Sequence, residues 1–252
     1  MIEERMTDIA FASGSAPPAP ADRLDWKDLA LALGVLVAMV GVLIGLIVAG
    51  VLSGVVTRSA FEDGSILPAL IGFQTLAFTL AALAPMLRHR RAGPGLLGIR
   101  RVSGRWLLAA AGIGVVMRGV VLLALLAVTE AGVDVGNPQQ ELLAATQGAW
   151  LGFLLLLVTG AVLTAVGEEL LFRGVLFGWL RTHLAFWPAA VGSALVFGLF
   201  HGLNVVLPVA FAVGVLCAAL YERSRSIWPP VVVHLTNNLL VFVAARFLGG
   251  GS

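Results

Sequence analysis

Glu168 and Glu169 stand side by side within the apolar run from Leu163 to Arg173. A carboxylate in hydrocarbon is costly unless it is paired or faces water, so an ionisable residue there points to function. Residues four apart share a helix face, and three such pairs fall in the last hundred residues: Glu169 with Arg173, Phe197 with His201, and His234 with Asn238. Glu168 is rotated by about 100° from Glu169, so the two carboxylates cannot serve one partner on one face. Arg173 is therefore expected to neutralise Glu169, leaving Glu168 to face a cavity. An ion pair that merely tolerates burial is the alternative for Glu169 and Arg173.

Depth strengthens the case for His201. Counted from the turn near residues 182–187, Glu168 and His201 each lie about 13 residues along their helices, roughly 20 Å in. A carboxylate and an imidazole at one level can share a water, as general-base activation of a nucleophile requires. His234 and Asn238 add two donors on one face, suited to polarising a carbonyl or holding an oxyanion. Ideal straight hairpins would leave His234 roughly 14 Å from the level of Glu168. Reaching it requires that Pro229-Pro230 start deep or that the helices tilt strongly. Arg118 lies roughly 20 Å along its own span, at the depth of Glu168. It is expected to face the bundle interior, either paired with Glu168 or Glu169 or lining a water-filled vestibule.

These residues need a membrane scaffold. Hydrophobic types make up 59% of 252 residues and only 12% are charged, with a mean hydropathy of +0.99. This composition excludes an ordinary soluble domain. The expectation is an all-α polytopic transmembrane helical bundle of about seven spans, with six to eight as the range, at about 20 residues each. Residues 1–25 read as a flexible polar tail rather than a removed leader, and 26–249 as a single membrane domain. Spans are expected at about 29–56, 66–87, 106–129, 150–181, 188–203, 207–221 and 230–247. The fourth is too long for one straight crossing, so a kink or break is expected near Gly160 or Gly167.

Charge sets the orientation. The segment 88–105 holds six arginines, whereas 130–148 holds three acids and no Lys or Arg. The positive-inside rule then places the N-terminus inside and the C-terminus outside. Fifteen arginines and one lysine give a net charge of +2. Gathered at helix ends, they read as topology, and no nucleic-acid partner is expected. The single cysteine, Cys217, excludes an intrachain disulfide and a cysteine metal cluster. Trp150, Trp179, Trp187 and Trp228 read as interfacial anchors. Asn204 and Asn237 read as helix-to-helix hydrogen bonders, with the cavity wall as the alternative.

Three motifs now stand in order: Glu168-Glu-Leu-Leu-Phe-Arg173, Phe197-Gly-Leu-Phe-His201 and His234-Leu-Thr-Asn-Asn238. Together they resemble the EExxxR, FxxxH and HxxxN patterns of the CPBP family of intramembrane proteases. That family includes type II CAAX prenyl endopeptidases and bacteriocin-processing or immunity proteins. The resemblance covers about residues 150–245, the expected catalytic core, and Leu96 to Arg101 looks like the basic inner loop common in such proteins. It implies hydrolysis of a peptide bond in a membrane-associated protein or peptide. Glu168 and His201 would activate water, and His234 and Asn238 would form the oxyanion site. Glu169, Arg173 and Phe197 would support them, with Arg118 nearby.

The resemblance also raises a metal. Glu168, His201 and His234 could supply a two-His, one-carboxylate site for zinc or another divalent ion. HExxH spacing is absent, and the expectation is a metal-free mechanism with no cofactor. The Arg-rich, Ala/Gly/Leu-biased chain looks like a bacterial member, an integral protein of the cytoplasmic membrane whose partners are its substrate and the bilayer. A different class fits the same polar cluster: a non-catalytic immunity or partner-binding protein, or a proton-coupled transporter. Oligomeric state has no signature in the sequence.

Overall fold

The computed structural model describes residues 23–62, 64–132 and 144–248. The chain runs through α1 (Trp26–Leu52), the short α2 (Arg58–Glu62), α3 (Leu67–Arg88), a 3₁₀ turn (Gly93–Leu97) and α4 (Gly104–Glu130). The long α5 (Trp150–His183) follows, then α6 (Phe186–Phe200), α7 (Val206–Ser224) and α8 (Trp228–Leu248). No strand occurs among the described residues. Most of the tail at 1–25, and Asp134 and Glu141 of the acidic loop, lie outside the described residues.

Among the described residues, six helices are long and apolar enough to cross a membrane. Their outward faces carry large apolar side chains such as Val37, Ile44, Val116, Leu123, Leu151 and Leu154. Arg173, Glu169 and His234 are buried instead. An apolar exterior around a charged interior is stable only in lipid. The chain is an integral membrane protein.

The seven expected spans resolve into six long helices and one shorter apolar helix, α6, of 15 residues. At 1.5 Å per residue α6 covers only about 22 Å, less than the hydrocarbon thickness. It stops because Gly202 takes a left-handed φ of +89° directly after His201, a conformation glycine adopts without penalty. Asn204 then accepts from the backbone N–H of Val206 at 2.8 Å and starts α7. His201 thus sits at the tip of the α6–α7 hairpin.

The long α5 runs on without a break, and it departs from α geometry at Gly160, one of the two expected positions. Two π-helical stretches, Leu157–Leu163 and Leu170–Phe177, replace the expected break, and Gly167 lies in the α-helical turn between them. The Thr164 hydroxyl donates to the Thr159 carbonyl at 2.7 Å and meets the Thr75 hydroxyl of α3 at 2.9 Å. Side-chain hydroxyls that take backbone carbonyls relieve the α ladder where it widens.

One end of the bundle is rich in arginine. There Asp25 caps α1 through a capping box with Asp28, and Arg88 donates to Asp25 at 2.9 Å. Arg88 and His89 also meet the buried Asp28. The hydrogen bond from Arg88 is the main cause that holds the Asp25 carboxyl well below the usual range. Arg181 pairs with Glu222 at 2.9 Å at this same end. At the opposite end Arg246, near the end of α8, donates to the carbonyls of Thr146 and Gly148 at 2.7 Å. The two ends of the described chain therefore lie at opposite ends of the bundle.

Candidate functional site

The two π stretches flank Glu168 and Glu169, which lie in the α-helical segment Thr164–Glu169. Widened turns of this kind recur at functional positions because they free backbone groups and re-aim side chains. One freed group is visible. The Gly160 carbonyl accepts from Asn238 Nδ2 of α8 at 3.2 Å. A Cβ at position 160 would lie 2.9 Å from the Phe242 ring, so α8 approaches α5 closely here.

Behind the two glutamates lies a buried charge network. Arg173 Nη1 donates to Glu169 Oε1 at 2.8 Å, as the spacing of four predicts, and Nη2 reaches the Gly214 carbonyl of α7 at 3.3 Å. The guanidinium sits 4.6 Å from the centre of the Phe197 ring. His234 Nδ1 is 3.1 Å from that same Glu169 oxygen. An ionised carboxylate only accepts, so Nδ1 carries the proton and the ring is fixed with Nε2 turned the other way. Nε2 lies 3.6 Å from Glu168 Oε2. Phe197 packs edge-on to Phe172, His201 and His234, with ring centres 4.9, 4.7 and 5.8 Å away.

These groups open onto a cavity of about 330 Å³, near the lower end of ligand pockets. Glu168, His201, His234, Asn238, Phe197 and Arg118 all line it. Glu169 and Arg173 lie behind the wall rather than in it. His201 Nδ1 donates to the Phe197 carbonyl at 2.9 Å, which leaves Nε2 of the neutral ring as an acceptor. Asn238 commits one N–H to Gly160 and accepts from Asn237 Nδ2 at 3.2 Å. Its second N–H stays available. Glu168 Oε2 and Asn237 Oδ1 are buried without a hydrogen-bond partner among the described residues.

The structure bears on three expectations. His234 is not 14 Å from Glu168; it is that carboxylate's close neighbour. The start of α8 is packed inside the protein. Ser226, Ile227, Pro229 and Pro230 are all buried. The Ile227 N–H donates to the Gly98 carbonyl at 3.0 Å and the Ser226 hydroxyl to the Arg100 carbonyl at 2.7 Å. The loop after α3 folds inward, with Leu97 against Gly174 of α5, and carries the start of α8 with it. Secondly, Arg118 faces the cavity, but no ion pair joins it to Glu168 or Glu169 among the described residues. Thirdly, Glu168, His201 and His234 do not fit a metal centre. No group of three His, Cys, Asp or Glu side chains is placed to hold an ion among the described residues.

Gln74 also lines the cavity. Its signal was its place as the lone amide in the apolar run of α3. Asn237 takes the cavity wall of its two readings. The Gly160 carbonyl had no signal in the sequence.

Comparison with known proteins bears on the same stretch. Residues 150–240 match the Type II CAAX prenyl endopeptidase Rce1-like family. YdiL of Bacillus subtilis, named as a membrane peptidase, is 32% identical over 89 residues, 35% of this chain and 36% of that protein. The membrane-embedded CAAX protease MroQ of Staphylococcus aureus is 32% identical over 82 residues, 30% of this chain and 33% of that protein. The match thus spans about a third of each relative. No solved structure matches the chain. The Rce1-like segment holds Glu168, His201, His234 and Asn238. Arg118 and Gln74 come from outside it.

Proposed function

We propose that this protein is an intramembrane endopeptidase of a bacterial cytoplasmic membrane that hydrolyses a peptide bond in a membrane-associated protein or peptide. One observation carries the reading. A carboxylate and an imidazole face each other across 3.6 Å at a cavity wall, and a second carboxylate, itself paired with an arginine, holds that imidazole from behind. The Rce1-like segment and its two bacterial relatives support a protease. Residues 26–249 would act as one membrane domain with its catalytic core at about 150–245.

A water about 2.8 Å from both Glu168 Oε2 and His234 Nε2 would sit off the line between them, towards the cavity. Glu168 takes a proton from this water as its oxygen attacks the scissile carbonyl carbon, and His201 Nε2 accepts the second O–H to orient it. The carbonyl oxygen becomes an oxyanion and accepts from the second N–H of Asn238 and from Nε2–H of His234, which takes its second proton from solvent as substrate binds and returns it on product release. Glu169, held by Arg173, faces the positive imidazole as the buried aspartate does in a serine-protease triad. Collapse of the adduct breaks the C–N bond, and Glu168 returns its proton to the leaving amine. No step passes through a metal.

The test is to incubate purified full-length protein, reconstituted in lipid, with membrane-associated peptides in ¹⁸O-labelled water. Direct hydrolysis places one ¹⁸O in each newly formed carboxyl terminus. Absence of new termini contradicts the protease reading, and unlabelled new termini contradict direct attack by water.

A further inference from the structure

Arg118 takes no part in that chemistry, yet it sits about 21 Å along α4 from Gly104, well inside the apolar layer. It has no carboxylate, hydrogen-bond or ring partner among the described residues. An uncompensated cation at such depth is retained only against a cost. Its placement is set by the packing of α4 on α8. One turn earlier, a Cβ at Gly114 would lie 2.9 Å from the Val233 carbonyl and 2.8 Å from Thr236 Cβ. The two helices touch there, and the residue four positions on shares that face. Arg118 is thereby directed at the next turn of α8, where Asn237 and Asn238 line the same cavity.

The cavity wall is otherwise largely apolar, with Phe200, Val206, Val209 and Val213, and Gln74 adds an amide. The acidic wall, Glu168, belongs to the same cavity. A ligand anion would be repelled by Glu168 and drawn to Arg118, whose planar fork matches a carboxylate. We propose that Arg118 is a specificity-determining residue that binds a carboxylate of the substrate and so sets which peptide bond reaches Glu168. The inference rests on the protease reading for its purpose but not for its test. A cavity this small holds only a few residues, so the carboxylate lies close to the scissile bond. It comes from the chain terminus or from an acidic side chain.

Binding is measured on full-length Glu168→Gln protein, which removes turnover, with dansyl-labelled apolar hexapeptides in three forms. One has a free C-terminal acid, one a C-terminal amide, and one is the amide with a single internal glutamate. Arg118→Gln is expected to weaken at least one carboxylate form by about tenfold or more while changing the plain amide by less than about twofold. Arg118→Lys should restore part of the loss. The form that responds identifies the source of the carboxylate. Equal loss for all three forms, no loss, or no measurable binding of either carboxylate form overturns the proposal. If binding behaves as expected but wild-type protein cleaves none of the peptides, the protease reading fails and the carboxylate site stands. If cleavage occurs, Arg118→Gln should raise KM for the responding form with kcat little changed.

Discussion

Arg173→Met probes the network behind the cavity. Arg173 is 1% exposed and Glu169 fully buried, so solvent screening is slight. The substitution removes the 2.8 Å contact to Glu169 and the bond to the Gly214 carbonyl. Glu169 then keeps His234, at 3.1 Å, and the neighbouring Cys217 thiol, neither of which replaces the guanidinium charge. Its other oxygen, Oε2, already lacks a hydrogen-bond partner among the described residues. Breaking one side of a buried pair costs about 3–5 kcal/mol, because the remaining charge is left uncompensated. At about 2–4 °C per kcal/mol for a chain of this size, Tm should fall by about 6–20 °C. The double variant Glu169→Gln/Arg173→Met leaves no orphan charge and should melt above the single variant. Thermal unfolding of purified protein in one detergent, followed by tryptophan fluorescence, checks both. A single variant within about 2 °C of wild type, or a double variant no better than the single, would refute the assignment of Arg173 as the neutralising partner.

Further substitutions test the rest of the fold. Gly160→Ala pushes a methyl to 2.9 Å from the Phe242 ring and should destabilise by about 1–3 kcal/mol; Phe242→Leu in the same chain should recover part of the loss in the same melting assay. Phe197→Leu keeps an apolar filler but removes the ring beneath Arg173, an interaction worth about 2 kcal/mol when desolvated, so this variant should also melt lower than wild type. Asp25 tests the docking of α1. Because its folded pKa lies below the unfolded value of about 3.9, its contribution is fully present above that pH and is lost as the pH falls through the folded value. The gap in Tm between wild type and Asp25→Asn should hold from neutral pH to about 4 and shrink below it; a gap that stays constant at lower pH would show that the Arg88 contact contributes nothing.

Much of the scaffold was legible because it follows from local spacing. Glu169 with Arg173 and Phe197 with His201 lie four apart, and helical geometry brings each pair together before any tertiary contact forms. Apolar length gave the spans, and arginine placement gave the shared end at which Asp25, Arg88, Arg181 and Glu222 meet. What the sequence hid depends on non-local geometry. His234 reaches Glu168 only because the loop 93–100 folds inward and bonds to Ser226 and Ile227, and counting residues from a flat membrane boundary misses that. The π turns of α5 were read as a kink, since a glycine signals weakness in a helix without saying how the chain resolves it. Asn238 was read with His234 as one of two donors on a face, and the carbonyl of Gly160 claims one of its two amide protons.

Glu168 is where the account is most exposed. The decisive measurement is the single-turnover cleavage rate of one membrane peptide by lipid-reconstituted wild type and Glu168→Gln, each shown to be folded by its melting curve. Loss of the base should lower the rate by about 10²-fold or more with the fold intact. A folded Glu168→Gln protein that cleaves within about threefold of wild type would contradict the central claim, because an amide cannot take the proton from water.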